Sequence, residues 1–376
     1  MADRILHLIA SNFISGPEKQ ILHHARDMAG SPYEICVASF HDLPAEPEIL
    51  TVARNGGTPA YLLRGGFNPL QITDLAKVLR QERIAVLCTH GYKANIVGRL
   101  ASLLSRVPQA AFVRGWTAET PRVALYEKLE RRMLASAPWV VCVSALQAEQ
   151  LVAVRGSRRP PIVIQNAVLP GPATPQNDST FSRHDAGIQE GPFVFASAGR
   201  LSIEKGHAYL LAAFADLLKR SPSRGCYLVL LGDGRELANL KPRALELGIS
   251  EKVKFAGFQP DIRQWMRLAD CLVQPSLTEG TPNSVLEALQ LNLPIIATSV
   301  GGVPDLLRDG LSGMLVPPRE PGKLADAMEA VVNSEELRAT LSRGISAIDP
   351  KYKPETQRAS LVRLYEDVLQ SAGRQP

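Results

Sequence analysis

Short apolar runs of strand length alternate with amphipathic runs of helix length along most of this chain. Strands that are buried on both faces form continuous apolar runs, which is typical of parallel sheets covered by helices. In the first half, the pattern predicts strands at residues 4–10, 34–39, 59–63, 84–89, 109–113 and 139–143. It predicts helices between them at residues 17–29, 75–82, 95–104 and 122–135. The alternation therefore favours the α/β class.

The alternation stops at residues 168–192, where proline, glycine, serine, aspartate and glutamine dominate, as is typical of a linker. It then restarts, with elements predicted at residues 193–198, 207–219, 226–231, 237–247, 253–256, 262–268, 271–274, 284–291, 294–298, 314–316, 324–332 and 355–369. We therefore predict a domain at 1–170, a linker at 171–192 and a second domain at 193–350. Two doubly wound domains of this kind are expected to hold a ligand cleft between the carboxyl ends of their strands.

Length and composition agree with two α/β domains in a reducing compartment. The chain has 376 residues, 45% of them hydrophobic and 21% charged, and its length exceeds that of one compact core. The longest apolar runs, such as 137–143, are too short for a membrane span, and the amino terminus carries Asp3 and Arg4 where a signal peptide would be apolar. The five cysteines show neither metal nor disulfide spacing, which favours the cytoplasm.

The net charge of +5 is concentrated in one stretch of the chain. Residues 93–159 contain eleven basic and four acidic residues. A basic face of this kind could meet anionic lipid, a polyanionic acceptor or nucleic acid, and a merely solvated surface explains it about as well. Aromatic residues are not interleaved with the basic ones, so nucleic acid is not expected as a partner.

The run QPSLTEGTPNSVLEAL, residues 274–289, is the most informative motif. An apolar strand precedes it, and its later apolar residues recur at helical spacing, so it predicts a strand, a tight loop and a helix. Pro282 suits a first helical turn, and the free amides at Asn283 and Ser284 would face a phosphate beyond the strand. Glu279 and Glu287 lie before the loop and within the helix, so they could hold a polyhydroxylated ligand from two ends. A surface glutamate and a helix-face glutamate would be the ordinary explanation of that spacing alone.

Three further segments lie at strand ends in the second half. SAGRLSIEKGH places Arg200 and Lys205 after a strand, where two cations can neutralise a diphosphate without a metal. LGDGREL contains Gly232 in a tight turn, but it lacks the third glycine of a dinucleotide fingerprint. VKFAGF ends a strand at Gly257, where exposed backbone could pair with a base edge. Each segment is weak on its own.

The first half offers fewer chemical groups. Gly16 and Pro17 stand at a predicted helix start, which is a second possible phosphate site. His90 ends a strand and precedes a glycine, so it could reach the cleft, although a lone histidine is more often structural. The chain contains no Asp-rich metal motif, no Ser-His-Asp order and no P-loop.

The segments GRLSIEKG, LLGDGREL, VKFAGF, SLTEGTPNSVLEAL and PIIATSVGGVPDLLRDGLSGMLVPP follow one another in this order. Together they resemble the retaining glycosyltransferases of family 4, which have the two-domain GT-B architecture. The likeness covers the second half closely. In the first half SGPEKQ, THGYKAN, WVVCVSALQAEQL and IVIQNAV match more loosely.

The resemblance implies roles for individual residues. Arg200 and Lys205 would bind the donor diphosphate, Glu279 the donor sugar, and Glu287 the ribose of the nucleotide. The implied donor-binding set is Gly16, Arg200, Lys205, Gly232, Gly257, Glu279, Gly280, Thr281, Pro282, Asn283, Ser284 and Glu287. Arg200, Lys205 and Glu279 would also be catalytic. No cofactor and no metal are implied, and the last segment, 351–376, would pack back on the first domain.

The sequence departs from the family pattern on the acceptor side. Arg114 stands where many relatives have histidine, and because a guanidinium cannot accept a proton, the role of that histidine does not transfer. Arg114 and His90 are therefore candidates for acceptor contacts. Gly-Pro at residues 16–17 replaces the common Gly-Gly, and Asn166 is followed by alanine where glycine is frequent.

The expected function is metal-independent, retaining transfer of a sugar from a UDP- or GDP-sugar. The acceptor would be a glycan, a lipid-linked molecule or a small molecule, in the synthesis of a cell-surface polysaccharide or glycoconjugate. The protein would work in the cytoplasm or at the inner face of the membrane. Two alternatives remain, namely a non-catalytic sugar-nucleotide-binding subunit and an epimerase or phosphorylase of the same architecture.

Overall fold

The computed structural model describes residues 2–11, 13–66, 68–116, 121–156, 159–169, 181–221, 225–345 and 349–373. The chain forms two compact units. The first contains Met1–Leu169 together with Pro350–Pro376, and the second contains Pro170–Asp349. Within the described ranges, no helix is both long enough and apolar enough to cross a bilayer.

The first unit is a parallel sheet flanked by helices. Its strands are β1 (Asp3–Ile9), β2 (Tyr33–His41), β3 (Ala60–Arg64), β4 (Ile84–His90), β5 (Gln109–Val113), β6 (Trp139–Cys142) and β7 (Ile162–Val163). Its helices up to this point are α1 (Gly16–Asp27), α2 (Glu48–Asn55), α3 (Leu70–Gln81), α4 (Tyr92–Ser105), α5 (Pro121–Ser136) and α6 (Ala145–Arg155). The strand order is β3-β2-β1-β4-β5-β6-β7.

The second unit repeats this plan. Its strands are β8 (Phe193–Ala198), β9 (Cys226–Leu231), β10 (Val253–Gly257), β11 (Cys271–Gln274), β12 (Ile295–Thr298) and β13 (Met314–Val316). Its helices are α7 (His207–Arg220), α8 (Leu237–Glu246), α9 (Ile262–Met266), α10 (Asn283–Gln290), α11 (Val303–Leu306), α12 (Pro321–Asn333) and α13 (Glu335–Gly344). The strand order is β10-β9-β8-β11-β12-β13.

Both sheets reverse their strand order once, which is the feature that places ligands in Rossmann-like folds. The reversal lies between β1 and β4 in the first unit and between β8 and β11 in the second. Loops that leave neighbouring strands in opposite directions open a crevice at the carboxyl ends of those strands. Residues after β8 and β11 are therefore expected to meet a ligand.

The last helix, α14 (Pro354–Ser371), completes the core of the first unit. Leu361, Leu364, Tyr365 and Val368 pack in one cluster with Ile5, Val86, Trp139 and other buried residues of the sheet. Tyr365 is among the largest fully buried side chains of the protein. The first unit is therefore built from two separate parts of the sequence.

The structure also contains helices that the sequence pattern did not predict. Helix α2 buries Ile49, Leu50 and Ala53 but is only eight residues long, and α13 has a single buried residue, Leu341. Helix α9 ends at Met266, two residues before the end of the predicted segment. Local apolar spacing is too sparse to indicate such short or shallow helices.

Residues 171–180 of the predicted linker lie outside the described residues. Its described part, 181–192, is attached to the second unit. Arg183 Nε donates to the carbonyl oxygen of Leu268 at 3.0 Å, and Arg183 Nη2 bonds to Asp270 Oδ2 at 2.9 Å. Polar composition indicated a linker here, but the half-buried Arg183 and the buried side chains of Ala186 and Ile188 attach this part to the second unit.

Candidate functional site

The strand reversal of the second unit brings together two of the predicted segments. Strand β8 is followed directly by Gly199 and Arg200, and a short 3-10 turn then carries Lys205. Strand β11 ends at Gln274, and its loop carries Glu279 before α10 begins. The amide of Leu277 donates to the carbonyl oxygen of Glu204 at 2.7 Å, which fastens the two loops to each other.

Lys205 and Glu279 form an ion pair at the centre of this site. The distance from Lys205 Nζ to Glu279 Oε1 is 2.7 Å, and the side chains are 22% and 7% exposed, respectively. Gln274 Nε2 and Ser276 Oγ donate to the same carboxylate oxygen at 2.9 and 2.6 Å. Three donors on one oxygen fix the orientation of the carboxylate, because each restricts its rotation.

Gln274 and Ser276 are functional candidates that sequence reasoning missed. Gln274 is itself held by Ser284 at the start of α10, whose hydroxyl donates to Gln274 Oε1 at 2.8 Å. The signal was present in the run QPS directly before the Glu279 loop, where polar residues follow a buried strand. Their role depends on the loop folding back on the strand end, which the sequence does not indicate.

Glycines let the site loops approach other backbone closely. Gly301 has a φ of +56°, and a Cβ there would lie 1.9 Å from the carbonyl oxygen of Glu279. The next amide, that of Gly302, donates to the carbonyl oxygen of Gly280 at 2.7 Å. The segment after β12 therefore supports the Glu279 loop directly, which a larger residue at Gly301 would prevent.

The two predicted glycines of the neighbouring strands lie side by side. The amide of Gly232 donates to the carbonyl oxygen of Gly257 at 2.8 Å. A Cβ on Gly232 would lie 1.9 Å from the carbonyl oxygen of Gly199, so this turn packs against the segment that leads to Arg200. Gly232 and Gly257 thus border the same crevice as Arg200.

Helix α10 begins one residue before the predicted segment 284–291, but Pro282 precedes its first turn. Pro282 occupies the N-cap position, and Asn283 is the first helical residue. Thr281 and Pro282 are buried, whereas Gly280, Asn283, Ser284 and Glu287 are half-buried. Helix starts of this kind present backbone amides and the positive end of the helix dipole to an anion.

The two predicted cations differ in their surroundings. Arg200 is exposed, whereas Lys205 is mostly covered by its contact with Glu279. His207 follows at the start of α7 and was not predicted as a site residue. Burial, with Lys205 adding to it, lowers the pKa of His207 to about 3, so its ring stays neutral beside the lysine.

The predicted residues of the first unit lie around a different pocket. His90 ends β4 and is buried, and both of its ring nitrogens are hydrogen-bonded, Nδ1 to Arg114 Nη2 and Nε2 to His7 Nδ1, each at 3.0 Å. Arg114 Nη1 donates to Asn166 Oδ1 at 2.9 Å. These residues line one pocket of the first unit together with His7, Gln20, Ile21, His24, Phe112, Ile164, Gln357 and Leu361.

Burial controls the ionisation of these groups. It lowers the pKa of His90 well below its usual range, with the charge of Arg114 adding to the effect. The pKa of Arg114 falls to about 10, so the guanidinium is still charged at neutral pH. Gly16 opens α1, where the amide of Ser15 donates to Glu18 Oε2 at 2.8 Å in a capping box.

Comparison with known proteins shows the family to which this chain belongs. The family model described as Glycosyl transferases group 1 matches residues 178–345, and the one described as Glycosyltransferase Family 4 matches residues 14–170. A D-inositol 3-phosphate glycosyltransferase of Nocardia farcinica is 32% identical over 318 residues, which cover 74% of this chain and 69% of the relative. The chain belongs to glycosyltransferase family 4. The resemblance read from the sequence motifs is thereby confirmed.

A second relative and a solved structure are also similar to this chain. A galactosyltransferase of Escherichia coli, named for UDP-Gal and for GlcNAc-diphosphoundecaprenol, is 25% identical over 71% of each chain. Among solved structures, the Anabaena protein HepE in complex with UDP and glucose has a TM-score of 0.82 at 21% identity, over 97% of this chain and 100% of that one. This likeness confirms the predicted fold class, in which two Rossmann-like domains form a GT-B glycosyltransferase.

Proposed function

We propose that this glycosyltransferase moves a sugar from a nucleotide diphosphate sugar to an acceptor hydroxyl, with retention of configuration and without a metal ion. The observation that carries the proposal is the Lys205–Glu279 pair, fixed by Gln274 and Ser276 at the strand reversal of the second unit. A cation after β8 and an oriented carboxylate after β11 can contact the diphosphate and the sugar of the donor, respectively.

The proposed roles follow from the chemistry of each group. Arg200 and Lys205 bind the diphosphate, and they stabilise the negative charge that develops on it as the glycosidic bond breaks. The amides at the start of α10 add to this stabilisation. Glu279 accepts hydrogen bonds from the donor sugar through the oxygen that the lysine does not occupy. Glu287, one turn into α10, accepts hydrogen bonds from the ribose hydroxyls.

The proposed mechanism needs no general base from the protein. The acceptor attacks the anomeric carbon on the face that the diphosphate leaves, and the departing phosphate oxygen takes the proton of the acceptor hydroxyl. The protein then contributes positioning and charge stabilisation. The engaged ring nitrogens of His90 support this proposal, because neither could take a proton without breaking a buried hydrogen bond.

Uridine nucleotides are the first donors to test. The relative from Escherichia coli is named for UDP-Gal, and HepE was solved with UDP. Acceptors named among the relatives include inositol phosphate and a lipid-linked sugar diphosphate, which supports a small phosphorylated molecule or a lipid-linked glycan as the acceptor class here. Either would be consistent with synthesis of a cell-surface glycoconjugate.

The deciding experiment measures release of nucleoside diphosphate from UDP-, GDP- and ADP-sugars in the presence of EDTA. Wild type is expected to hydrolyse one donor slowly, and Glu279→Gln is expected to lose that activity, whereas Glu251→Gln, an exposed control, keeps it. Activity that required an added metal would overturn metal independence. If NMR shows that the released sugar has the inverted anomeric configuration, the proposed retention would be overturned.

Product analysis separates the proposal from its alternatives. An epimerase would change the donor sugar without an acceptor, and a phosphorylase would require inorganic phosphate. A non-catalytic subunit would bind UDP in a calorimetric titration but would release no nucleoside diphosphate from any donor. Each outcome replaces the transferase assignment with a different one.

We further propose that the protein contacts anionic lipid through one face of α4 and α5, called here the leucine–arginine face. Its apolar members are Leu100, Leu103, Leu104, Leu125 and Leu129, and its basic members are Arg122, Lys128, Arg131 and Arg132. All of them are exposed, with Leu103 at 62% and Leu125 at 64%. The two helices are neighbours, and both glutamates of the described part of α5 are buried, so the exposed charge of α5 is positive.

Exposed leucines between cations suit the interface of an anionic bilayer, where apolar burial and charge attraction add. Sedimentation with phosphatidylglycerol vesicles at low salt is expected for wild type. The double variant Leu125→Ser, Leu129→Ser should lose most of this binding, whereas Leu245→Ser, which changes a 70% exposed leucine of α8, should not. If wild type stays in the supernatant, lipid contact is not a property of this face.

A further inference from the structure

A buried chain of hydrogen-bonded side chains runs through the first unit, and the proposed donor chemistry does not use it. It starts where Arg114 Nη2 and His90 Nδ1 meet at 3.0 Å. It continues from His90 Nε2 to His7 Nδ1 at 3.0 Å and from His7 Nε2 to the Tyr365 hydroxyl at 3.0 Å. It ends at His24, whose Nε2 lies 2.9 Å from the same hydroxyl.

The position of each proton in this chain of hydrogen bonds follows from Arg114, its first member. A guanidinium can only donate, so His90 Nδ1 must accept, and the neutral His90 ring carries its proton on Nε2. His7 therefore accepts on Nδ1 and carries its own proton on Nε2. The Tyr365 oxygen accepts that proton, so its hydroxyl donates to His24 Nε2, and His24 is protonated on Nδ1.

Burial keeps the three rings neutral, which the argument requires. It lowers the pKa of His7 well below the usual range, with His24 and Arg114 adding to the effect, and it acts in the same way on His90. It lowers the pKa of His24 to about 3, with His23 and Arg358 adding. Burial also raises the pKa of the Tyr365 hydroxyl, which therefore keeps its proton.

A second set of contacts supports Arg114 from its other side. Arg114 Nη1 is bonded to Asn166, and the neighbouring Ala167 is held at both backbone atoms by Gln20, at 2.7 and 3.0 Å. Gln357 Nε2 in turn donates to Gln20 Oε1 at 3.0 Å. Helix α14 thus supports Arg114 along two routes, through Tyr365 and through Gln357.

We propose that this chain holds Arg114 as a fixed hydrogen-bond donor for an oxygen of the acceptor, and that Tyr365 is a positioning residue that acts on it through His7 and His90. Both side chains bonded to Arg114 are neutral, and the buried Glu18 acts on it only through its charge, so the guanidinium can still donate to an electron-rich oxygen such as that of a hydroxyl or phosphate. The acceptor role rests on the proposed function, whereas the order of the protons does not.

The order of the protons can be measured without any substrate. In the full-length protein labelled with ¹⁵N-histidine, NMR distinguishes the two ring tautomers, and His→Gln variants at positions 7, 24 and 90 assign the signals. We expect His7 and His90 to be protonated on Nε2 and His24 on Nδ1, without titration from about pH 5.5 to 8. A His90 ring protonated on Nδ1, or one that titrates in that range, would overturn the proposal.

Two arginine variants test whether Arg114 sets this order. Arg114→Lys keeps a side chain that only donates, so the tautomers should be retained. Arg114→Met removes the donor, and a mixture of both His90 tautomers is expected. Unchanged tautomers in the methionine variant would mean that the order has another origin.

The positioning role needs a matched pair of tyrosine variants. Tyr365→Phe should speed exchange of the Arg114 Nη protons with water about tenfold, because loss of the hydroxyl releases His7 and, through His90, the guanidinium. Tyr33→Phe, in the tyrosine that packs edge-on against Tyr365 at 5.5 Å, should leave that exchange unchanged. Equal exchange in both variants would overturn the role of Tyr365. UDP affinity, measured on the same variants, tests the proposed function of the second unit separately.

Discussion

At the scale of single residues, the contact between Lys205 and Glu279 makes two proposed functions depend on each other. The lysine lies 2.7 Å from Oε1 of the carboxylate, so a diphosphate that attracts the lysine would weaken this ion pair while the sugar binds the other oxygen of Glu279. Gln274 and Ser276 keep that carboxylate in place when the lysine moves. The donor would therefore exchange one set of charged contacts for another.

Loss of the lysine charge should reduce catalysis strongly. For Lys205→Met we expect nucleoside diphosphate release to fall about 10²-fold or more, since the variant loses stabilisation of the developing charge. Lys241→Met, on the exposed side of α8, is the matched control. Near-normal rates in both Lys205→Met and Arg200→Ala would contradict the assigned roles.

Substitutions of the two glutamates of the motif should have different effects in a binding experiment. Glu287→Gln is expected to weaken UDP binding about tenfold in calorimetry, because hydrogen bonds to a charged acceptor are roughly twice as strong as neutral ones. Glu279→Gln should leave UDP affinity nearly unchanged and weaken only the binding of the UDP-sugar. A reversed pattern would exchange the two roles.

At the scale of helices and strands, the sequence was sufficient to predict an element where its apolar pattern is continuous. Strand β8 and helix α7 lie within one residue of their predicted bounds, because buried strands and amphipathic helices leave a regular signal. Helix α2 was missed because it is only eight residues long, and α13 because it buries only Leu341. The hydrogen bonds of Gln274 and the histidine chain could not be predicted, because they join residues far apart in sequence.

Helix α14 offers a stability test at this scale. Leu364→Ala should lower the free energy of unfolding of the first unit by about 2–5 kcal/mol, as expected for a large buried side chain reduced to a methyl group. Gln370→Ala, on the exposed side of the same helix, is the control. Urea unfolding followed by tryptophan fluorescence measures both, and equal midpoints would show that the helix contributes little to the core.

At the scale of the whole molecule, buried neutral histidines make stability depend on acidity. Unfolded His24 and His207 take up protons near the ordinary pKa of 6.5, whereas the folded rings stay neutral down to about 3. The unfolded state binds more protons in this window, so the free energy of unfolding should fall as the pH is lowered from 6.5 towards 3.

Urea unfolding at several pH values would measure this effect. His207→Gln should flatten the dependence, because the variant lacks one ring that is neutral when folded and takes up a proton when unfolded. Glu130 acts in the opposite direction, because burial raises its pKa to about 7 and its contribution is lost as the pH rises. An identical pH dependence in wild type and His207→Gln would contradict the neutral state of the buried His207 ring.

The division of the first unit into Met1–Leu169 and Pro350–Pro376 has a consequence for synthesis. The ribosome delivers the sheet of this unit first, but the residues of α14 that cover it are made last. The second unit is continuous in sequence, so all of its residues have been made before the first unit receives its final helix. The core of the first unit therefore cannot be completed before the second unit has been synthesised.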